Sequence, residues 1–304
     1  MSQHIGFIGI GNMGWPMAAA LIRAGHRLTV ADSDDIRVEK FVANHGGHPA
    51  ASLRELAEKS DVIITILPTS KIVAHVLATG EDTVLAGMKP GTIVIEMSSG
   101  VPNITRELAE KVAALGGHMI DAPVSGGVAR AKTATLAIMA GGETEIIDRV
   151  QPVLEAMGNS ILRTGGVGSA HAMKALNNLV SAGGLLVAVE ALLIGQRFGL
   201  DPGVMTDVLN ASTGMNNATQ KKLRQFILSR SFGSGFGLDL MVKDLSIALE
   251  VARDTATPAP FAAQCRELWA AAAAMLGPGQ DHTAVAKFSE ALAGSELGEP
   301  AARE

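Results

Sequence analysis

The chain contains no tyrosine, one cysteine and only 3% aromatic residues among 304 positions. Without tyrosine, proton transfer by a tyrosine–lysine pair is impossible. With Cys265 as the lone thiol, no intrachain disulfide can form and a four-cysteine structural zinc site is excluded. The eight histidines are scattered. Only His45 and His48 fall close together, in what reads as an exposed loop, so no metal centre is expected. A formal charge of −5 at pH 7 leaves no basic excess for nucleic acid. The longest apolar run of interest, Leu179–Val189, is shorter than a bilayer requires and is followed by Glu190, so no membrane span is expected. The first residues enter structured sequence without a basic leader or cleavage signal, which together with the single thiol reads as cytoplasmic.

What the sequence does have is length and aliphatic bulk. A chain of 304 residues, 47% of them hydrophobic, can build two domains with substantial cores. Its many alanines favour close-packed helices. The first half alternates short β-rich runs with helical patterns. Strands are expected near Ile5–Ile10, Arg27–Ala31, Asp61–Leu67, Thr92–Met97, His118–Asp121 and Thr135–Ala140, with a further one at Ile161–Arg163. Helices are expected over Met13–Ala24, Ile36–Asn44, Leu53–Lys59, Asn103–Leu115 and Glu143–Met157. Strands apolar almost throughout, such as Val62–Leu67, predict a mostly parallel sheet covered on both faces, with right-handed crossovers.

The pattern changes after Gly165-Gly166-Val167-Gly168. One long, largely apolar helix is expected over Ser169–Phe198, ended by Gly199 and Pro202. Further helices are expected over Pro202–Asn210, Thr219–Leu228, Met241–Asp254, Pro260–Ala274 and Thr283–Leu292, then a loose tail of about a dozen residues. The fold class is therefore an α/β Rossmann-type doubly wound parallel sheet domain (1–165) followed by an all-α domain (166–304) built around a long helix. A helix apolar over much of its girth must bury itself in a core or against another subunit.

Three segments carry chemistry. In Gly9-Ile10-Gly11-Asn12-Met13-Gly14, between a strand and a helix, Gly9 suits a tight turn and Gly11 lets a pyrophosphate approach the backbone. Gly14 permits close helix–strand packing, and the helix N-terminal amides then face phosphate. Asp32, ending the next strand, can accept from an adenosine ribose and would repel a 2′-phosphate, which argues for NAD over NADP. The plainer reading of Asp32 is a solvated turn residue. Asp121-Ala122-Pro123-Val124-Ser125-Gly126-Gly127 follows a strand at the sheet edge where ligands collect. Its glycine amides and the Ser125 hydroxyl can hold a carboxylate, or it is an ordinary loop.

In Gly168–Asn178, Lys174 and Asn178 lie four apart, on one face of the long helix. A lysine on an apolar helix calls for a partner or a purpose. Beside a nicotinamide its ammonium could protonate a carbonyl oxygen, and its neutral amine could accept a hydroxyl proton in reverse. Asn178 could donate to the same oxygen. The alternative is a surface lysine near a helix start. His171, three positions before Lys174, is a competing base or a packing residue.

Together these segments resemble the β-hydroxyacid dehydrogenase family, from Gly6 to about Phe288. Gly6–Ala18 resembles its cofactor signature, Asp121–Gly127 its substrate signature, Gly168–Asn178 its catalytic signature and Lys243-Asp244-Leu245 its carboxy-terminal motif. The resemblance implies that Lys174 is catalytic and that Ser125, Gly126, Gly127 and Asn178 contact substrate. It implies that Gly9, Gly11, Asn12, Met13, Gly14, Asp32, Leu67, Pro68, Ser99 and Lys243 serve the cofactor, with Asp244 holding Lys243. It further implies a long interdomain helix, a homodimer or homotetramer, and reversible NAD-dependent oxidation of a short 3-hydroxy acid, or reduction of its semialdehyde, in a cleft between the domains. Related imine reductases generally lack a lysine at the Lys174 position, and a non-catalytic NAD-binding scaffold or sensor would be expected to lose it or the Ser125 loop. The family's usual Gly-Thr-Leu reads Ala134-Thr135-Leu136, a change expected to tighten that turn. Arg130, Ser212-Thr213-Gly214 and Asn216-Asn217 lie where substrates are told apart, and Arg130 could face a second anionic group or be merely exposed.

Overall fold

A computed structural model of the chain describes residues 2–79 and 81–298. Contacts divide the chain into two compact units, Met1–Lys174 and Ala175–Glu304, so the division falls inside the long helix rather than before it.

The first unit is built on nine strands, β1 (His4–Ile8), β2 (Arg27–Ala31), β3 (His48–Pro49), β4 (Val62–Thr65), β5 (Ile93–Glu96), β6 (His118–Asp121), β7 (Val124–Ser125), β8 (Leu136–Gly141) and β9 (Gly158–Gly165). They lie in the order β3-β2-β1-β4-β5-β6-β8-β7, with β9 beside β8. From β3 to β6 every pairing is parallel. β8 runs antiparallel to β6 and β7 and parallel to β9. The order 3-2-1-4-5-6 reverses direction between β1 and β4, which opens a crevice at their carboxyl ends where α/β sheets take ligands. The helices are α1 (Gly14–Arg23), α2 (Asp35–His45), α3 (Leu53–Lys59), α4 (Ser70–Ala78), α5 (Val84–Gly87), α6 (Pro102–Ala114), α7 (Gly127–Lys132) and α8 (Thr144–Glu155).

Strand periodicity divides the apolar residues between two cores. Phe7, Ile64 and Ile95 join one cluster, while Ile8, Ile63 and Val94 join another. Successive side chains point to opposite sheet faces, and both faces are covered by helices. Every residue of β4 and β5 is buried.

The second unit is helical. α9 (Ser169–Phe198) enters it at Ala175 and is followed by α10 (Pro202–Asn210), α11 (Asn217–Lys221), α12 (Leu238–Asp254), α13 (Pro260–Leu276) and α14 (Val285–Ala293). Its core gathers Leu185, Val189, Leu192, Leu223, Leu245, Trp269 and Val285.

Several expectations change. α9 runs 30 residues and is long and apolar enough to cross a membrane, although 56% of its most apolar stretch is buried within the protein. The helix expected over Thr219–Leu228 is α11 followed by a π-helix at Leu223–Leu228. β3, β7, α4, α5 and α7 were not expected; all but α4 span only two to six residues and carry little periodicity, whereas α4 has nine residues and buries Ser70, Val73 and Leu77 at helical spacing. His45 lies half-buried on α2, where its Nε2 accepts from Trp15 Nε1 at 3.0 Å. The expected loose tail is anchored as far as Gly298: Leu297 is buried, and the Gln196 amide bonds Glu296 O and Gly298 N. Residues 299–304 of that tail lie outside the described residues.

Candidate active site

The loop after β1 is built for close approach. Gly9 has φ +97°, and a Cβ there would stand 2.3 Å from the O of Ile66, the residue after β4. A Cβ on Gly14 would stand 1.9 Å from Gly9 O. These two glycines are required by packing. Gly11 differs, because its Cβ would meet nothing within 4 Å, so space remains over the backbone where a ligand can sit. Asn12 is exposed and Met13 half-buried. The N-cap of α1, Met13, makes no side-chain capping bond, and the first turn holds no acid. An open glycine cradle ahead of an uncapped helix start fits the pyrophosphate of a dinucleotide.

Asp32 is not a solvated turn residue. Its side chain is 8% exposed; Oδ2 accepts from Ile10 N at 2.8 Å, and Oδ1 from Asp34 N and Arg37 Nη1 at 3.1 Å each. The carboxylate thus ties the glycine loop to the end of β2. Arg37 is shared with Asp34 at 3.2 Å. Across the crevice, Leu67 N donates to Ser98 Oγ at 2.8 Å. Leu67 and Ser99 are half-buried and Pro68 is exposed, so all three stand on the loops that follow β4 and β5.

Asp121 ends β6 buried and caps the start of α9, accepting from Gly168 N at 2.7 Å and His171 N at 2.8 Å. One carboxylate therefore links the Asp121–Gly127 segment to the helix that carries Lys174. Ser125 lies on β7, while Gly126 (φ +127°) and Gly127 (φ +67°) are exposed in conformations that favour glycine. A Cβ on Gly126 would stand 2.4 Å from Arg130 Cδ, so Arg130 folds back over this loop.

Lys174 and Asn178 are 9% and 7% exposed, one turn apart on α9. Lys174 is thus no surface lysine. Asn178 Nδ2 donates to Asp244 Oδ2 at 2.6 Å, and Asp244 Oδ1 pairs with Lys243 Nζ at 3.2 Å. Asp244 is 1% exposed and orients Asn178 and Lys243 together.

Residues 4–166 match the family model for the NAD-binding domain of 6-phosphogluconate dehydrogenase. Residues 168–289 match that for the NAD-binding region of NADP-dependent 3-hydroxyisobutyrate dehydrogenase. The chain is 36% identical to 2-(hydroxymethyl)glutarate dehydrogenase of Eubacterium barkeri over 96% of its own length and 97% of that protein. It is 38% identical to 3-hydroxyisobutyrate dehydrogenase of Pseudomonas aeruginosa, over 87% and 90% respectively. The crystallised 3-hydroxyisobutyrate dehydrogenase of Mycobacterium tuberculosis, studied with L-serine, superposes with a TM-score of 0.88 at 33% identity, covering 95% of this chain and 99% of that one. The chain belongs to the β-hydroxyacid dehydrogenase family.

As a β-hydroxyacid dehydrogenase family member it carries an NAD(P)-binding domain, and its relatives are named as oxidoreductases of hydroxy acids. One part of this family member was not evident from motifs. His171 is buried, its Nε2 2.8 Å from Glu96 Oε2 and its Nδ1 2.8 Å from Thr105 Oγ1. Burial opposes a charge on His171, but Glu96 and then Asp121 outweigh it and hold the imidazole above its ordinary 6.5. Burial pushes Glu96 up, yet His171 and Ser98 bring it below its ordinary 4.5. A Cβ on Gly100 would stand 2.7 Å from the His171 ring. The pair is therefore a charged pin between the β5 loop and the first turn of α9, and His171 is a packing group rather than a base facing ligand. A glutamate closing a strand ahead of Ser-Ser-Gly is the one sequence signal that could have suggested its partner.

Proposed function

We propose that this protein is an NAD-dependent dehydrogenase that reversibly oxidises a short 3-hydroxy acid to the semialdehyde or keto acid. The observation that carries the reading is Lys174, a buried lysine on α9 one turn before Asn178. The nicotinamide cofactor, when bound, supplies the two-electron hydride exchange. In oxidation, the neutral Lys174 Nζ takes the substrate hydroxyl proton as the carbinol C–H bond breaks and the C=O bond forms. In reduction, its ammonium returns that proton to the oxygen. Asn178, held by Asp244, keeps an amide N–H for the same oxygen. Ser125 and the Gly126 and Gly127 backbone hold the substrate carboxylate. Gly9, Gly11, Asn12, Met13 and Gly14 cradle the cofactor phosphates, with Leu67, Pro68, Ser99 and Lys243 against the rest of it.

The preference for NAD rests on local charge. One guanidinium, Arg37, is shared by Asp32 and Asp34, and Asp35 adds a further acid in the first turn of α2. A 2′-phosphate would meet net negative charge there. A homodimer or homotetramer is supported by Val180, Val187 and Ile194, which repeat every seven residues along α9 and are 77%, 57% and 71% exposed. Because 56% of its most apolar stretch is covered within the protein, we read α9 as the core helix of a water-soluble cytoplasmic protein. An imine reductase or a scaffold without chemistry accounts less well for a buried lysine beside an oriented asparagine.

The test is NADH or NADPH formation at alkaline pH with a panel of 3-hydroxyisobutyrate, glycerate, serine, threonate and 2-(hydroxymethyl)glutarate. Turnover of one acid with an NAD preference is expected. No turnover of any, despite saturable NADH binding, would overturn the catalytic reading.

A further inference from the structure

Three residues beyond Asn178, α9 presents Ser181 on the same face, about 4.5 Å further along the axis. Lys222 meets it there. Lys222 sits at the junction of α11 and the π-helix, with φ −127° and ψ −41°, and its Nζ donates to Ser181 Oγ at 3.0 Å. Wide helical turns of this kind recur at functional positions. Among the described residues, Lys222 makes no ion pair.

A serine hydroxyl is a weak partner for a half-buried ammonium. Burial pulls Lys222 down to about 8, and Asp281 opposes that only in part. Asp281 cannot turn to meet it. Its oxygens already accept from Ser234 Oγ, Gly235 N, Phe236 N and both the N and Oγ1 of Thr283. Neighbouring His282 is held down to about 4, first by burial and then by the Lys222 charge, so it stays neutral and adds no second positive charge to the site. The helical unit thus holds a cation that costs stability as it stands. An incoming anion would complete it.

We propose that Lys222 and Ser181 form an anion subsite for a second carboxylate on the substrate, adjacent to the Asn178 amide, so that the preferred substrate is a dicarboxylic 3-hydroxy acid. This rests on the dehydrogenase reading. A carboxylate carried by a one- or two-carbon arm on C2 lies roughly 4–5 Å from the reacting carbon, three or four carbon–carbon bonds away. That span matches the three-residue offset of about 4.5 Å from Asn178 to Ser181.

The experiment compares kcat/KM for 2-(hydroxymethyl)succinate and 2-(hydroxymethyl)glutarate with that for 3-hydroxyisobutyrate, in the wild type, Lys222→Met and Ser181→Ala. Binding of the two diacids is measured by calorimetry in the presence of NADH. The wild type is expected to favour a diacid. Lys222→Met is expected to lower the diacid-to-monoacid ratio by about 10–100-fold, chiefly through KM, as loss of a charged hydrogen bond does; Ser181→Ala lowers it a few-fold and carries the test should Lys222→Met not fold. A wild type indifferent to the second carboxylate, or a ratio untouched in both variants, overturns the subsite while leaving the dehydrogenase reading in place. Diacid binding lost in Lys222→Met without turnover of any acid supports the subsite and removes the dehydrogenase reading. Neither turnover nor binding removes both.

Discussion

Asn178 and Asp244 are joined by a 2.6 Å hydrogen bond across 66 positions of sequence. Because the other Asp244 oxygen pairs with Lys243, a single buried carboxylate fixes two side chains assigned here to substrate and cofactor. Asp244→Asn keeps the shape and removes the charge. We expect kcat/KM to fall about 10–100-fold, the scale of one charge-assisted hydrogen bond, with NADH affinity reduced through Lys243. A Tm change with unaltered kinetics would make Asp244 purely structural.

Lys174→Ala removes the proposed proton carrier without touching the glycine cradle. NADH binding, followed by fluorescence, is expected to stay within a few-fold of wild type. The turnover number is expected to fall on the order of 10²–10⁴-fold. Near-normal turnover would end the assignment of Lys174.

The His171–Glu96 pin makes stability depend on pH in a defined direction. His171 is held above its ordinary 6.5, so its contribution is complete below that value and is lost as pH rises through the elevated native pKa. Glu96 is held below its ordinary 4.5, so its contribution is present above that value and is lost as pH falls through the depressed one. Thermal unfolding of wild type and His171→Gln should therefore differ most in the weakly acidic to neutral range and converge on the alkaline side. A constant difference across pH would contradict a charged pair.

Ala134 is the position after the α7 C-cap, with φ +54°. Ala134 N bonds Ala131 O at 3.2 Å and Thr135 N bonds Arg130 O at 2.9 Å, the double bonding of a helix end that normally takes glycine there. The departure expected to tighten the turn instead holds a side chain in left-handed backbone, at a cost of about 1–2 kcal/mol. Ala134→Gly should recover up to about 1 kcal/mol after the added flexibility of the unfolded chain is counted. A Tm rise of a few degrees is expected; a fall would mean that the alanine methyl packs more favourably than the backbone is strained.

The parts of this protein legible in its sequence are those whose requirements are local. A glycine is demanded wherever neighbouring backbone leaves no room for a Cβ, as at Gly9 and Gly14, so that loop and its flanking strand and helix could be read directly. Period-two and unbroken apolar runs did the same for β1, β2, β4, β5 and β6, and helical spacing placed Lys174 and Asn178 on one face. The short elements β3, β7, α5 and α7 were not legible, because two to six residues carry too little periodicity and are held by their neighbours. Tertiary structure alone decided which charged and polar side chains meet: Glu96 with His171, Asp244 with Asn178, and Lys222 with Ser181, 41 positions apart. Pairing between distant residues depends on how the chain folds back on itself, and a buried charge keeps its ionisation only through the partner that folding supplies.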